Sequence, residues 1–329
     1  MREDADLRDG AVSALGQLTA EGRDIMVMVA DSTSTARIAP FLDTYPNRVI
    51  NVGIAEQNMV GMAAGLALGG HIVFTANAAP FLVARANEQV KNDICYSRTN
   101  VKMLGLNAGV AYGPLASTHH AIDDISIMSG FGNVQIFAPC DAIEAAQIVR
   151  YAASVDGPVY IRLDNAKLPV LHDANHVFEP GKPDVLRRGV PGAGSDGRRV
   201  AIVALGSVVG EAFAGCQALE TQGIAPTLIN LSSIRPLDTD ALVGILTAHD
   251  IIVTVEEHSL HGGIGALIAM QLARRGVARR LTTLGVTEGE FAHYGTRPGI
   301  RRHYGIDAAG IEQAVLAQIA ASATSAAIA

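Results

Sequence analysis

Apolar residues fall along this chain in short unbroken runs, separated by segments with helical spacing. IMVMVAD (25–31), RVINVG (48–53), HIVFTA (71–76), VKMLGLN (101–107), VQIFAP (134–139) and PVYIRL (158–163) are such runs. They lack the polar alternation of a half-exposed strand, so they predict strands buried on both faces. Residues 55–69, 81–97 and 141–153 carry helical patterns between them. Strand and helix alternate, which predicts a parallel sheet with helices on both sides.

The rhythm breaks at 172–197, where Pro, Gly, Asp and His replace apolar periodicity. This stretch reads as a linker, with room for a short hairpin. The pattern then resumes. Strands are expected at 198–206, 225–231, 251–257 and 281–286, and helices at 211–223, 238–250, 261–276 and 307–322. The helix at 238 starts with an Asp cap. The expected fold is α/β, two doubly wound domains, each with a mostly parallel sheet flanked by helices. Their bounds are 1–171 and 198–329, and the Ala-rich end is expected to fray.

Composition narrows the function. The 329 residues hold 25 Lys+Arg against 32 Asp+Glu, a net charge of −7, and 49% are hydrophobic. Two real cores fit this length. The acidic balance, with no basic run, argues against nucleic acid as a partner. No apolar stretch is long enough to span a bilayer, and the first residues, MREDADLRDG, lack a secretory apolar core, so a cytoplasmic protein is expected. Cys95, Cys140 and Cys216 are far apart, without zinc-type Cys/His spacing or a disulfide framework. The apolar surplus needs an outlet in buried parallel strands or a subunit interface.

Common catalytic signatures are missing: no GxGxxG follows the first strand, and neither a Walker lysine motif nor a GxSxG elbow occurs. NVGIAEQNMVGMAAGLALGG (51–70) stands out, because Glu56 falls where a strand meets a small-residue helix. In an open parallel sheet that is the carboxyl end, where ligands bind.

This run resembles the pyrimidine-binding domain of transketolases, above all the C-terminal subunit of split transketolases, and is close to the same stretch of deoxyxylulose-phosphate synthase. VADSTSTARIAP, FLVARANEQVKNDI and GVAYGPLASTHHAIDDI resemble the family's first loop, following helix and Gly-rich active-site loop. VALGSVVGEAFAGCQALETQGI, INLSSIRPLD and VTVEEHSLHGGIGA resemble the transketolase C-terminal domain. The likeness spans nearly the whole chain.

The resemblance implies thiamine diphosphate chemistry. Glu56 takes the place of the glutamate that hydrogen-bonds the cofactor's aminopyrimidine nitrogen, so that the cofactor's own imino group can deprotonate its thiazolium carbon. Burial is expected to raise the Glu56 pKa. Phe81 matches the aromatic that stacks on the pyrimidine, Asp31 an aspartate near the cofactor, and His119 the histidine that contacts the donor's oxygen. His120 stands where the family usually has Gln. Nothing reads as the GDG…N motif that holds the diphosphate through Mg2+ or another divalent metal. A separate N-terminal subunit is therefore implied, in an α2β2 assembly with the site between subunits.

The phosphate-gripping positions depart from the family. Arg8 matches its first arginine and Thr35 stands at a serine. Asn107 replaces a histidine and Asn165 the second arginine. Leu115 replaces an aspartate that contacts a substrate hydroxyl, because the loop reads GPLAST instead of beginning GEDG, and Ala78 replaces an aromatic. Lost charge-assisted bonds, at roughly 1.5–3 kcal/mol each, predict a non-standard substrate with less dependence on phosphate, in specialised metabolism. The expected activity is two-carbon ketol transfer from a ketose donor to an aldehyde-type acceptor. The alternatives are the beta subunit of a 2-oxo acid dehydrogenase, which INLSSIRPLD and VTVEEH also fit, a non-catalytic partner subunit, and a deoxyxylulose-phosphate synthase fragment. GIAEQNM and the THH loop favour the transketolase side.

Overall fold

A computed structural model describes residues 4–191, 194 and 196–328 of the chain. Six parallel strands form the first sheet: β1 (Ile25–Val29), β2 (Val49–Asn51), β3 (Ile72–Ala78), β4 (Val101–Leu106), β5 (Gln135–Phe137) and β6 (Val159–Arg162). The second sheet holds β7 (Asp184–Arg187), β8 (Val200–Ala204), β9 (Thr227–Asn230), β11 (Ile251–Ser259) and β12 (Arg280–Val286). Between them in sequence, β10 (Ser233–Arg235) crosses over and pairs antiparallel with β5. The spatial orders are β10-β5-β6-β4-β3-β1-β2 and β12-β11-β8-β9-β7.

The unbroken apolar runs are explained by where successive side chains go. Along β1, Ile25, Val27 and Val29 enter one core, while Met26 and Met28 enter another on the opposite face. The same alternation in β8 sends Val200, Ile202 and Ala204 one way and Ala201 and Val203 the other. Ala201, Val203 and Ile229 of the second sheet share a core with Ile136, Ala138 and Tyr160 of the first. The two halves are thus joined by buried apolar surface, at about 25 cal/mol per Å².

Capping fixes the helices. Asp6, Asp141 and Asp238 cap α1 (Leu7–Ala20), α4 (Ala142–Ser154) and α6 (Thr239–Thr247), accepting from Arg8, Glu144 and Ala241 backbone N–H groups. The expected cap at 238 is there. At α7 (Ile264–Arg274) the acceptor comes from β11: Glu256 takes the N–H groups of Ile264 and Gly265 at 2.8 and 3.0 Å. A Cβ on Gly263 would lie 2.0 Å from that carboxylate, so the turn requires glycine.

Three expectations change. The 172–197 stretch, of which residues 192, 193 and 195 lie outside those described, forms no hairpin between 172 and 191; β7 instead adds to the second sheet's edge against β9. The helix expected at 81–97 includes two π-type turns, Phe81–Arg85 and Val90–Tyr96. Each accommodates extra residues that a strict 3.6-residue period does not reveal. The last helix, α9 (Ala308–Ile328), continues through the end expected to fray, although the side chains from 322 onward are outside the description. Among the described residues no helix is long and apolar enough to cross a membrane.

Three further elements position the site and the join: α2 (Glu56–Leu68), α3 (Asp124–Gly130) and α8 (Arg297–His303). α8 delivers Arg297 between the halves. Its guanidinium meets Asp164, just past β6, at 2.5 Å and Glu257 of β11 at 2.5 and 2.9 Å. Arg301 adds a 2.8 Å bond to Glu257, and Ser207 bridges both arginines.

Candidate active site

The carboxyl ends of β1, β3 and β4 open onto one cleft of about 480 Å³. Asp31, Thr35, Glu56, Phe81 and His119 all line it, with Asn77, Arg85 and Tyr112 beside them. This is the edge of a parallel sheet where strand ends leave loops free to hold ligands.

Glu56 opens α2 and is only 3% exposed. Asn77 donates to its Oε1 at 3.1 Å and Arg85 to its Oε2 at 2.7 Å. Burial, the largest influence, pushes its pKa up. The Arg85 bond, its own backbone N–H and Asn77 together outweigh burial, and the net shift is downward. The expected upward shift is therefore corrected: desolvation alone predicts a rise, and the cation four residues beyond Phe81 reverses it. That spacing puts Arg85 on the Phe81 face, its guanidinium carbon 4.4 Å from the ring centroid. Replacing Arg85 with Gln removes two of the influences that lower the Glu56 pKa and should move it upward. A carbon-13 carboxyl titration by NMR checks this; an unchanged, depressed value would contradict the balance described.

His119 sits in the loop after β4, edge-on to Phe81 at 5.1 Å and to Tyr112 at 5.3 Å between ring centroids. Its Nδ1 lies 2.9 Å from Thr118 Oγ1. Two aromatic walls and one hydroxyl thus fix the ring while leaving it on the cleft surface. The buried His120 points away: its Nε2 is 3.0 Å from Gly113 O, which ties the loop to itself. Burial lowers its pKa, favouring the neutral ring. In the same loop Ala116 has φ 59°, at the position of the glycine in GEDG, so an alanine holds a conformation that favours glycine.

The other candidates are placed differently. Arg8 donates to Asp6 at 2.6 and 2.9 Å, to Thr35 O at 2.9 Å and to Asn165 O at 3.0 Å. Its fork is therefore committed to protein acceptors. Asn107 is buried, has φ 54°, and its Oδ1 has no hydrogen-bond partner. Arg8, Asn107, Asn165 and Leu115 are not among the residues lining the cleft, and Leu115 is half exposed. His258 is fully buried and His261 pairs with Glu288 at 3.0 Å, so neither belongs to the cleft.

Sequence reasoning missed Arg85, Asn77 and Tyr112. Arg85 was detectable as the one cation in FLVAR, and Tyr112 as the only aromatic in the Gly-rich loop. The Tyr112 hydroxyl is hydrogen-bonded by Asn107 and Thr35 side chains, although burial dominates and raises its pKa.

Residues 3–170 match the family described as transketolase, pyrimidine binding domain, and residues 193–311 match transketolase, C-terminal domain. An apulose-4-phosphate transketolase subunit from Actinobacillus succinogenes is 51% identical, over 88% of this chain and 91% of that protein. Its namesake from Phocaeicola vulgatus is 35% identical over 92% and 94%. A solved split-gene transketolase, described as an inactive beta4 tetramer, superposes with a TM-score of 0.83 at 34% identity, covering 96% of this chain and 99% of that one.

Proposed function

The chain belongs to the transketolase family, as the subunit with the pyrimidine-binding and C-terminal domains, and we propose that it acts on a ketose phosphate of the apulose 4-phosphate type. It is a transferase subunit for two-carbon ketol transfer, and the 2-oxo acid dehydrogenase and non-catalytic readings are not favoured. The family implies thiamine diphosphate and a divalent metal. In our reading an N-terminal partner in the cytoplasm holds the metal and diphosphate in an α2β2 assembly.

The single observation that carries the site assignment is the buried Glu56 carboxylate on the wall of an open cleft, beside the Phe81 ring. That donor set fits an aminopyrimidine: an anionic acceptor for a ring N–H, an aromatic face, and Ile54 and Ala78 as apolar walls. Thiamine diphosphate, when bound, supplies the nucleophilic carbon and the electron sink for C–C cleavage. With the cofactor in place, Glu56 would hold a proton between its carboxylate and the ring nitrogen. Arg85, 45% exposed, has freedom to leave Phe81 and Glu56 as the ring arrives. Asp31 faces the same cleft, and Ile54 and Ala78 give it apolar lining. His119 donates to or accepts from the substrate oxygen next to the reacting carbon.

Substrate length follows from Tyr112. A 4-phosphate is one carbon nearer its ketone than the phosphate of a ketopentose 5-phosphate. The Tyr112 ring narrows the cleft beside His119, and Arg8 is committed elsewhere, which supports a shorter substrate and a weaker long-range phosphate grip. With the reconstituted pair, kcat/KM should favour apulose 4-phosphate over xylulose 5-phosphate by at least about 100-fold. Equal or reversed preference would overturn the substrate assignment. Tyr112→Leu should move that ratio about 10–100-fold toward the longer substrate, read in the same assay.

A further inference from the structure

Away from the cleft, where the second half of the chain leaves the first, α4 and the segment preceding β7 bring four donor side chains together. One ligand atom each from Glu144, His172, His176 and Asp184 lies within 4.8 Å of the others. We propose that these four residues form a structural zinc site that pins the joining segment to both halves of the molecule.

Three independent observations carry this. The first is spacing and support. His172 and His176 are four residues apart, a spacing shared by zinc-binding histidine pairs. His172 Nδ1 lies 2.9 Å from Asp141 Oδ2, and Asp141 also accepts backbone N–H bonds from Leu171 and His172. A carboxylate on one ring nitrogen orients the other as a ligand, the usual support behind a metal-bound histidine. Nε2 then points at Asp184 Oδ2, 2.8 Å away.

The second is an orphaned atom. His176 Nε2 is shielded from solvent and has no hydrogen-bond partner, although its ring stacks on His172 with centroids 3.8 Å apart. A buried ring nitrogen without a partner is costly unless something fills its coordination. The third is space: a cavity of about 100 Å³ is lined by Glu144, His176, Asp184 and Ser232. Lys182 also lines it, but its amine pairs with Glu179 at the surface.

Two imidazoles and two carboxylates select zinc over magnesium or calcium, which want oxygen alone. Cys140 lies close to His172 but is fully buried with its thiol pKa raised, so it is left out of the ligand set. Four protein ligands close the coordination sphere, which marks a structural and not a catalytic site. Binding displaces the Nε2 proton of His172 to solvent. Each ligand comes from a different place: α4, the two ends of the His-x3-His turn, and the start of β7.

The test uses the full chain without an affinity tag, stripped with chelator and titrated with zinc chloride by calorimetry. One zinc per chain with Kd below about 1 µM is expected, with a rise in Tm. His176→Gln, at a half-buried position outside both sheets, should weaken binding at least about 100-fold with an unchanged circular dichroism spectrum. Cobalt substitution of the unmutated chain should give the visible absorption of a tetrahedral site. Absence of saturable zinc binding, octahedral cobalt, or wild-type affinity in His176→Gln would overturn the proposal.

Discussion

Glu56→Gln is expected to lower kcat of the reconstituted enzyme by about 10²–10⁴-fold, the range of a lost proton-transfer partner. The substitution keeps the shape. Asn77 still finds an oxygen at Oε1, and Arg85, already 45% exposed, turns to solvent when its anionic partner is gone. In the proposed role, what disappears is the charge that would hold a proton on the cofactor's ring nitrogen. The amide cannot take that proton, so loss should fall on kcat and on cofactor activation more than on substrate KM. Steady-state kinetics with saturating cofactor checks the split, and thermal unfolding checks the fold. A kcat within threefold of the parent would remove Glu56 from the chemistry.

Arg297→Ala is expected to cost about 3–5 kcal/mol of stability, the penalty for breaking a buried ion pair from one side. Asp164 and Glu257 are 5% and 1% exposed, and Arg297 bonds to both. Without it Asp164 loses its guanidinium, and Glu257 keeps one cation, Arg301, beside the Val110 N–H and the Ser207 hydroxyl. For a chain of this length Tm should fall on the order of 5 °C or more. The pH dependence gives a second readout. Burial pushes the Glu257 pKa up, but the charges of Arg297 and Arg301 overcome it and hold it far below the ordinary carboxylate range. Asp164 is held down likewise, Arg297 outweighing burial. The unfolded chain therefore binds more protons as pH falls, so this stabilisation is present above the usual carboxylate pKa of about 4.5 and drains away as pH drops toward the folded values. Denaturant melts between pH 6 and 3 should show a steep acid decline in the parent and a flatter one in Arg297→Ala. Equal slopes would mean that the clamp is not ionised as described.

Much of this architecture was legible in the chain because buried parallel strands write themselves as unbroken apolar runs. Ile25–Val29 is apolar at every position since both its faces meet a core. The exceptions have physical reasons. Asp184–Arg187 and Ser233–Arg235 are strands because a neighbouring edge pairs with them, not because of their own pattern. In the candidate site, motif position singled out Glu56, Phe81 and His119, and the fold brings them to one cleft. The Glu56 charge balance was not, since it depends on an arginine placed by a π-type turn. The Arg297 clamp joins residues 40 and 133 positions away, which no local pattern reports. Arg8 matched the family by position, yet its fork binds Asp6 and two backbone carbonyls, a commitment only the fold reveals.

The most direct test is a crystal structure of the chain assembled with its N-terminal partner and thiamine diphosphate. The account predicts a Glu56 oxygen about 2.7 Å from the pyrimidine ring nitrogen, with Arg85 displaced from the Phe81 face. A pyrimidine bound elsewhere, with the Glu56–Arg85 pair intact, would contradict it.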